Sequence, residues 1–182
     1  LGDVYKRQTH GRPSEENAHP HTAGPVTVVH NGIVENHLSL RADLESRGHV
    51  FTSETDTEIF SHCVREKLDE GMGLSEAVRS ILKNIEGSYA IAVIASTEPD
   101  KIVVAKNASP LVIGLGDGET FLASDIPALL RHTRDFIYLH EQEMAVVSAD
   151  GVELSTLDGE VFERAPKHIT CLLYTSDAAD ES

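Results

Sequence analysis

Apolar positions change their period near residue 87. Upstream they recur three and four apart: Leu40 with Leu44, then Ile59, Phe60, Cys63, Val64 and Leu68, then Val78, Ile81, Leu82 and Ile85. That spacing lines up side chains on one face of an α-helix. It predicts helices over residues 37–47, from Thr55 to about Glu70, and onward from Ser75. Asn36 is a candidate cap for the first helix and Gly48 its stop, while Thr55-x-x-Glu58 has capping-box spacing at the start of the second. Gly71 and Gly73 end that second helix. Before the helices, the β-branched run 26–30 reads as a buried strand, with Asn31-Gly32 behind it as a turn signal. Residues 9–25 show little periodicity and read as an ordered loop or an irregular lead-in, and Val50-Phe51 is a short strand at most.

Downstream the apolar runs are short. They fall at 89–96, 102–106, 111–115, 120–124, 136–139, 144–148, 152–155 and 161–163. Pro99-Asp100, Ser109-Pro110 and Asp117-Gly118 separate the first four, Asp150-Gly151 and Asp158-Gly159 supply hairpin turns, and a helical turn follows Pro127. Helices early and antiparallel strands late give an α+β fold rather than a βαβ alternation.

Charge narrows the partners. The 182 residues carry 15 Lys and Arg against 30 Asp and Glu, a net charge of −15. Binding nucleic acid or an anionic membrane surface needs cations to displace counterions, so this balance opposes both. No apolar run approaches a bilayer span, and the expected location is the cytoplasm. Two cysteines, Cys63 and Cys171, make neither a disulfide framework nor a CxxC site.

The two ends read as foreign. Asp-Val-Tyr-Lys-Arg-Gln at 3–8 and Cys-Leu-Leu-Tyr-Thr-Ser at 171–176 can be encoded by one short DNA element read on opposite strands. Residues 1–8 and 171–182 therefore look like non-native adapter-like tails around an insert of residues 9–170.

Three groups of residues could carry chemistry. His10, His19, His21 and His30 are close in sequence, but no cysteine or HExxH accompanies them, so they read as polar loop side chains or pocket lining rather than metal ligands. As a bare dipeptide Asn31-Gly32 is a hairpin turn. The sharper reading is an oxyanion hole, because the Asn31 amide and the Gly32 backbone N–H are two donors at one strand end. Losing one such donor typically costs on the order of 3 kcal/mol of barrier. Residues 53–58 are dense in capping chemistry, with Asp56 facing the helix dipole. The alternative makes Asp56 an anchor for a substrate ammonium. Cys63, mid-helix on the apolar stripe, reads as core, and Gly114-x-Gly116-x-Gly118 as a strand-to-strand turn.

Taken together, Thr9-His10-Gly11, Asn17-Ala18-His19-Pro20-His21, His30-Asn31-Gly32-Ile33-Val34-Glu35-Asn36 and residues 53–58 resemble the class II glutamine amidotransferase family. The match continues through Ser109-Pro110-Leu111-Val112-Ile113-Gly114 and Ala123-Ser124-Asp125 to about Thr170. The resemblance implies a truncated four-layer αββα sandwich of the N-terminal-nucleophile hydrolase type, with residues 9–170 forming an amidotransferase domain that lacks its N-terminal portion. It implies L-glutamine as substrate, no cofactor and no metal. Asn31 and Gly32 would be the oxyanion hole, Asp56 the clamp on the glutamine α-amine, and Thr9, His10 and His19 pocket lining. His30 would support the turn.

The family's nucleophilic cysteine, with the Arg and Trp that precede Thr9 in its pattern, would lie upstream, so the fragment alone is expected to be inactive. Ammonia would pass to a missing carboxyl-terminal sugar isomerase domain and aminate fructose 6-phosphate to glucosamine 6-phosphate, in a homo-oligomeric parent. The competing expectation is a non-enzymatic acidic binding module whose His and Asp residues are structural.

Overall fold

The computed structural model describes residues 14–170. It opens on a hairpin, β1 (His21–Ala23) against β2 (Val26–Val34), turned at Gly24 with φ of +58°. Three helices follow: α1 (His37–Ser46), α2 (Glu58–Asp69) and α3 (Leu74–Leu82). The remainder is strands: β3 (Gly87–Ala95), β4 (Ile102–Asn107), β5 (Val112–Leu115), β6 (Thr120–Ala123), β7 (Asp135–Tyr138), β8 (Glu143–Ser148), β9 (Gly151–Thr156), β10 (Val161–Phe162) and β11 (Lys167–His168). They form a seven-stranded sheet in the order β1-β2-β3-β4-β8-β9-β10 and a four-stranded sheet in the order β11-β7-β5-β6.

Strand alternation sorts the core into layers. Val26, Val28 and Val34 of β2 and Tyr89, Ile91, Val93 and Ala95 of β3 face the helices, where they meet Phe60 and Val64 of α2 and Leu74, Val78 and Ile81 of α3. Each fully buried side chain of this size contributes about 1.5–3 kcal/mol relative to exposure. On the opposite face of the large sheet, Ala90, Val104, Ala145 and Leu154 meet Leu111, Ile113, Ile137 and Leu139 of the second sheet. The far side of that second sheet, Val112 and Phe136, is covered by Leu129 beside the 3-10 turn Ile126–Ala128. The result is an α+β sandwich of helices, sheet and sheet, as the sequence pattern and the resemblance predict. No helix among the described residues is long and apolar enough to cross a membrane.

Several local expectations are corrected. Asn31-Gly32 is not a turn: β2 runs on through both residues to Val34, in register with Ala90 and Tyr89 of β3. The lead-in to Pro25 contains β1, and Val50-Phe51 forms no strand. Asn36 does not cap α1. Its side chain reaches across to the segment before β3, donating from Nδ2 to the Asn84 carbonyl (2.8 Å) and accepting the Glu86 N–H (3.2 Å). The capping box at α2 does not form either, because Thr55 and Glu58 spend their side chains on other partners, described below. The helix periods, the strand-to-strand turn after Gly114 and the two Asp-Gly hairpins hold, with Ala149-Asp150 as the loop residues of the first hairpin.

One consequence of the layering concerns β2. The second sheet packs on β3, β4, β8 and β9, so the same face of β2 is left uncovered. Val29 and Ile33 of β2 and Ile94 of β3 are exposed there.

Candidate functional site

Asn31 lies on that uncovered face, between Val29 and Ile33, and is exposed. Its register partner is Ala90, whose side chain packs toward the second sheet. Gly32 follows with φ of +144°, and a Cβ placed on it would sit 2.2 Å from the Ser88 carbonyl oxygen and 2.9 Å from the Tyr89 Cα. Only a residue without a Cβ lets β2 approach β3 this closely. The next backbone N–H, that of Ile33, is taken by the Ser88 hydroxyl at 3.2 Å.

At the following residue, the Val34 N–H donates to Asp56 Oδ2 at 2.8 Å. Asp56 is 4% exposed, so the segment before α2 delivers a buried carboxylate to the end of the strand that carries Asn31 and Gly32. His30 adds a second tie. Its Nδ1 is 3.1 Å from Thr57 Oγ1, its Nε2 is 3.4 Å from the Ser88 carbonyl oxygen, and its ring packs on Phe60 at 4.9 Å between centroids. His30 therefore braces a continuing strand against α2, where the resemblance made it the support of a turn.

The lead-in joins from the other side. Asn17 is buried and its Oδ1 accepts the Glu54 N–H at 2.9 Å. His21 Nε2 lies 3.0 Å from Thr55 Oγ1, and the exposed His19 sits edge-on to His21 with centroids 5.3 Å apart. Loss of surrounding water holds the His19 pKa below its ordinary value, with the Asp56 charge opposing. Burial, then the neighbouring His19, also lowers His21, against the pull of Glu58 and Asp56. Both imidazoles thus favour their neutral forms.

The structure brings Asn31, Gly32 and Asp56 onto or against one strand end and sets His19 within electrostatic reach of Asp56. Thr9 and His10 lie outside the described residues. Sequence reasoning gave Asn17 and His21 no role of their own and read Thr55 and Glu58 only as a helix cap, yet all four are buried. The available signal was the density of polar residues in two short segments, 17–21 and 52–58.

Cys63 is partly buried against the core, and burial with the nearby Glu66 charge pushes its thiol up to about 12. That is the electrostatics of an inert thiol rather than an activated one.

Comparison with known proteins identifies the family. Residues 7–131 match the glutamine amidotransferase domain family. The glutamine–fructose-6-phosphate aminotransferase (isomerizing) of Methanothermobacter thermautotrophicus is 46% identical over 175 residues, covering 95% of this chain and 29% of the relative. The enzyme of the same name from Symbiobacterium thermophilum is 54% identical over 154 residues, covering 84% of this chain and 25% of the relative. The chain thus spans well under a third of the length of these relatives. Among solved structures, glutamine phosphoribosylpyrophosphate amidotransferase from B. subtilis superposes with a TM-score of 0.68 at 23% identity, over 81% of this chain and 33% of that one, which speaks to the fold. With a family match over most of its length, the chain belongs to the glutamine amidotransferase domain family.

Proposed function

We propose that this domain binds L-glutamine and, in the longer protein that carries it, releases ammonia from the glutamine side chain. The observation that carries the reading is the Val34 N–H to Asp56 bond, which ties a buried carboxylate to the strand bearing both candidate oxyanion donors. In this reading the glutamine α-ammonium sits on Asp56, and the side-chain amide reaches back toward Asn31 and Gly32. When a thiolate attacks the amide carbon, the carbonyl oxygen becomes an alkoxide. The Asn31 side-chain N–H and the Gly32 backbone N–H meet that charge without reorganising. Collapse of the intermediate leaves a thioester and frees ammonia, and water then releases glutamate. His19 lines the mouth beside Asp56, and the family pattern puts Thr9 and His10 there too.

Cys63 is unsuited as the nucleophile, being partly buried in the helical core with its thiol up to about 12. The family pattern supplies a cysteine upstream of Thr9 instead, so this polypeptide alone turns over no glutamine. In the parent the ammonia passes to a sugar isomerase domain and converts fructose 6-phosphate to glucosamine 6-phosphate. Two assays test this. Ammonia release by this chain stays at the level of its Asn31→Ala variant; release above that level overturns the assignment of the nucleophile. In the full-length enzyme, Asn31→Ala lowers kcat by about 10²–10³ with little change in KM. Asp56→Ala chiefly raises the KM for glutamine, and the opposite pattern refutes both roles.

A further inference from the structure

We propose that Glu58 is a positioning residue for the Asp56 clamp, acting by stapling the segment that carries it; this rests on the glutamine-binding reading above. Glu58 is 1% exposed. Its Oε1 accepts the Thr52 N–H at 2.8 Å and the Thr52 hydroxyl at 3.0 Å, and its Oε2 accepts the Ser53 N–H at 2.7 Å and the Ser53 hydroxyl at 2.6 Å. The four bonds straddle Asp56, with residues 52–53 before it and Glu58 after it, and so close the segment into a ring. Arg41 holds the same ring from outside, donating from Nη1 to the Ser53 carbonyl at 2.9 Å. From Ser53 Oγ the network runs to Thr55 Oγ1 at 3.0 Å and from there to His21, the ring against which His19 packs.

An imidazole pair links this buried carboxylate to the surface. His62 Nε2 is 3.4 Å from Glu58 Oε1, His62 Nδ1 is 2.9 Å from His49 Nδ1, and His49 Nε2 is 2.9 Å from Glu66 Oε1. Ionised carboxylates only accept, so both Nε2 atoms donate. Arg47 pairs with Glu66 at the outer end of this chain of contacts, with Nε at 2.8 Å and Nη2 at 3.0 Å. The outer end of this chain meets solvent in a groove of about 850 Å³ lined by Arg47, His49, Cys63 and Glu66, while Glu58 at the inner end stays dry.

The experiment is steady-state kinetics of the full-length enzyme with Glu58→Gln, His62→Gln, Ser53→Ala and Asp56→Asn, each checked for folding by thermal unfolding. The amide of Glu58→Gln keeps the shape but turns an NH₂ toward donors that need an acceptor. Expected is a rise of about tenfold in the KM for glutamine with kcat changed by about twofold or less, because Asn31 and Gly32 are fixed by β2 and not by this ring. His62→Gln shifts KM in the same direction, and Ser53→Ala by about threefold. A merely structural Glu58 would lower the unfolding temperature and leave the KM-to-kcat split untouched, and that result overturns the proposal. If Asp56→Asn raises KM while Glu58→Gln does not, the positioning role fails and the clamp survives. If Asp56→Asn leaves KM unchanged, the clamp reading fails and this inference with it. Should Glu58→Gln not fold, Ser53→Ala decides, and an unchanged KM there overturns the proposal.

Discussion

Gly32→Ala is the substitution on which the geometry of the strand end bears most directly. The added methyl would lie 2.2 Å from the Ser88 oxygen, 2.7 Å from the Ser88 carbonyl carbon and 2.9 Å from the Tyr89 Cα, all backbone atoms of β3. These atoms cannot swing aside as a side chain would, since β2 and β3 are in register from Val26 opposite Ala95 to Val34 opposite Gly87. Two costs add. A residue with a Cβ held at φ of +144° is strained by about 1–3 kcal/mol. Forcing the strands apart costs about another 1–3 kcal/mol. The expected loss is about 2–6 kcal/mol, a large share of the roughly 5–15 kcal/mol that holds a domain together. Gly48→Ala is the internal control: φ there is +93°, and nothing lies within 4 Å of the added methyl, so only the first cost applies. Urea unfolding of the chain and both variants, with unchanged m-values as the test of a common denatured state, separates the two. The steric reasoning is refuted if Gly32→Ala is no less stable than Gly48→Ala.

Two further outcomes follow from the shifted groups. Folding holds the His21 pKa below its ordinary 6.5, so in the window below 6.5 the unfolded chain binds more protons than the folded one. Stability from this residue is therefore fully present above pH 6.5 and is lost as pH falls toward the lower folded value. The urea midpoint should drop between pH 7 and 5.5, and drop less in His21→Gln; an equal drop in the two removes His21 as the cause. Cys63 lines the groove but its thiol is pushed up to about 12, so at pH 8 the folded chain should react with iodoacetamide far more slowly than the unfolded one. Its labelling rate should then rise with urea in step with the unfolded fraction, and fast labelling of the folded chain would contradict the raised pKa.

What the sequence showed and what it hid follow from the range of the forces involved. The helices were legible because their signal is local: Ile59, Phe60 and Val64 repeat on one face whatever they pack against. The strands after Gly87 were legible because glycine and proline punctuate them. Asn31-Gly32 misled, since a dipeptide that favours a tight turn in isolation is overridden when a neighbouring strand pairs through it. That pairing depends on Gly87 to Ala90, more than fifty residues away. The capping box at Thr55 and Glu58 failed for a similar reason. The spacing was right, but Thr52, Ser53 and His21 offered both side chains better partners than the helix end did. Asp56 was ambiguous because helix capping and ammonium binding ask for the same residue at the same place, and its bond to Val34, which ties it to the strand of Asn31 and Gly32, is not legible in the sequence.

In the proposed reading, what suits this strand end to glutamine is what two glycines do to the β2–β3 pair. Gly87, with φ of +110°, has the Ile33 carbonyl oxygen where its Cβ would be, at 2.2 Å, just as Gly32 has that of Ser88. The strands are pinched from both sides. Ile33 N–H turns to a hydroxyl at 3.2 Å, and Glu35 N–H recovers a carbonyl partner, that of Glu86, at 2.8 Å. A strand end pinched in this way and tied at Val34 and His30 has little freedom to move. That is the condition under which an N–H dipole stabilises developing charge most, because no energy goes into orienting it at the moment of reaction. An oxyanion hole on a flexible loop would have to order itself first. Here the rigidity comes from the sheet at the oxyanion donors and from the Glu58 ring at the 52–57 segment, where a substrate ammonium rather than a reacting carbonyl is to be met.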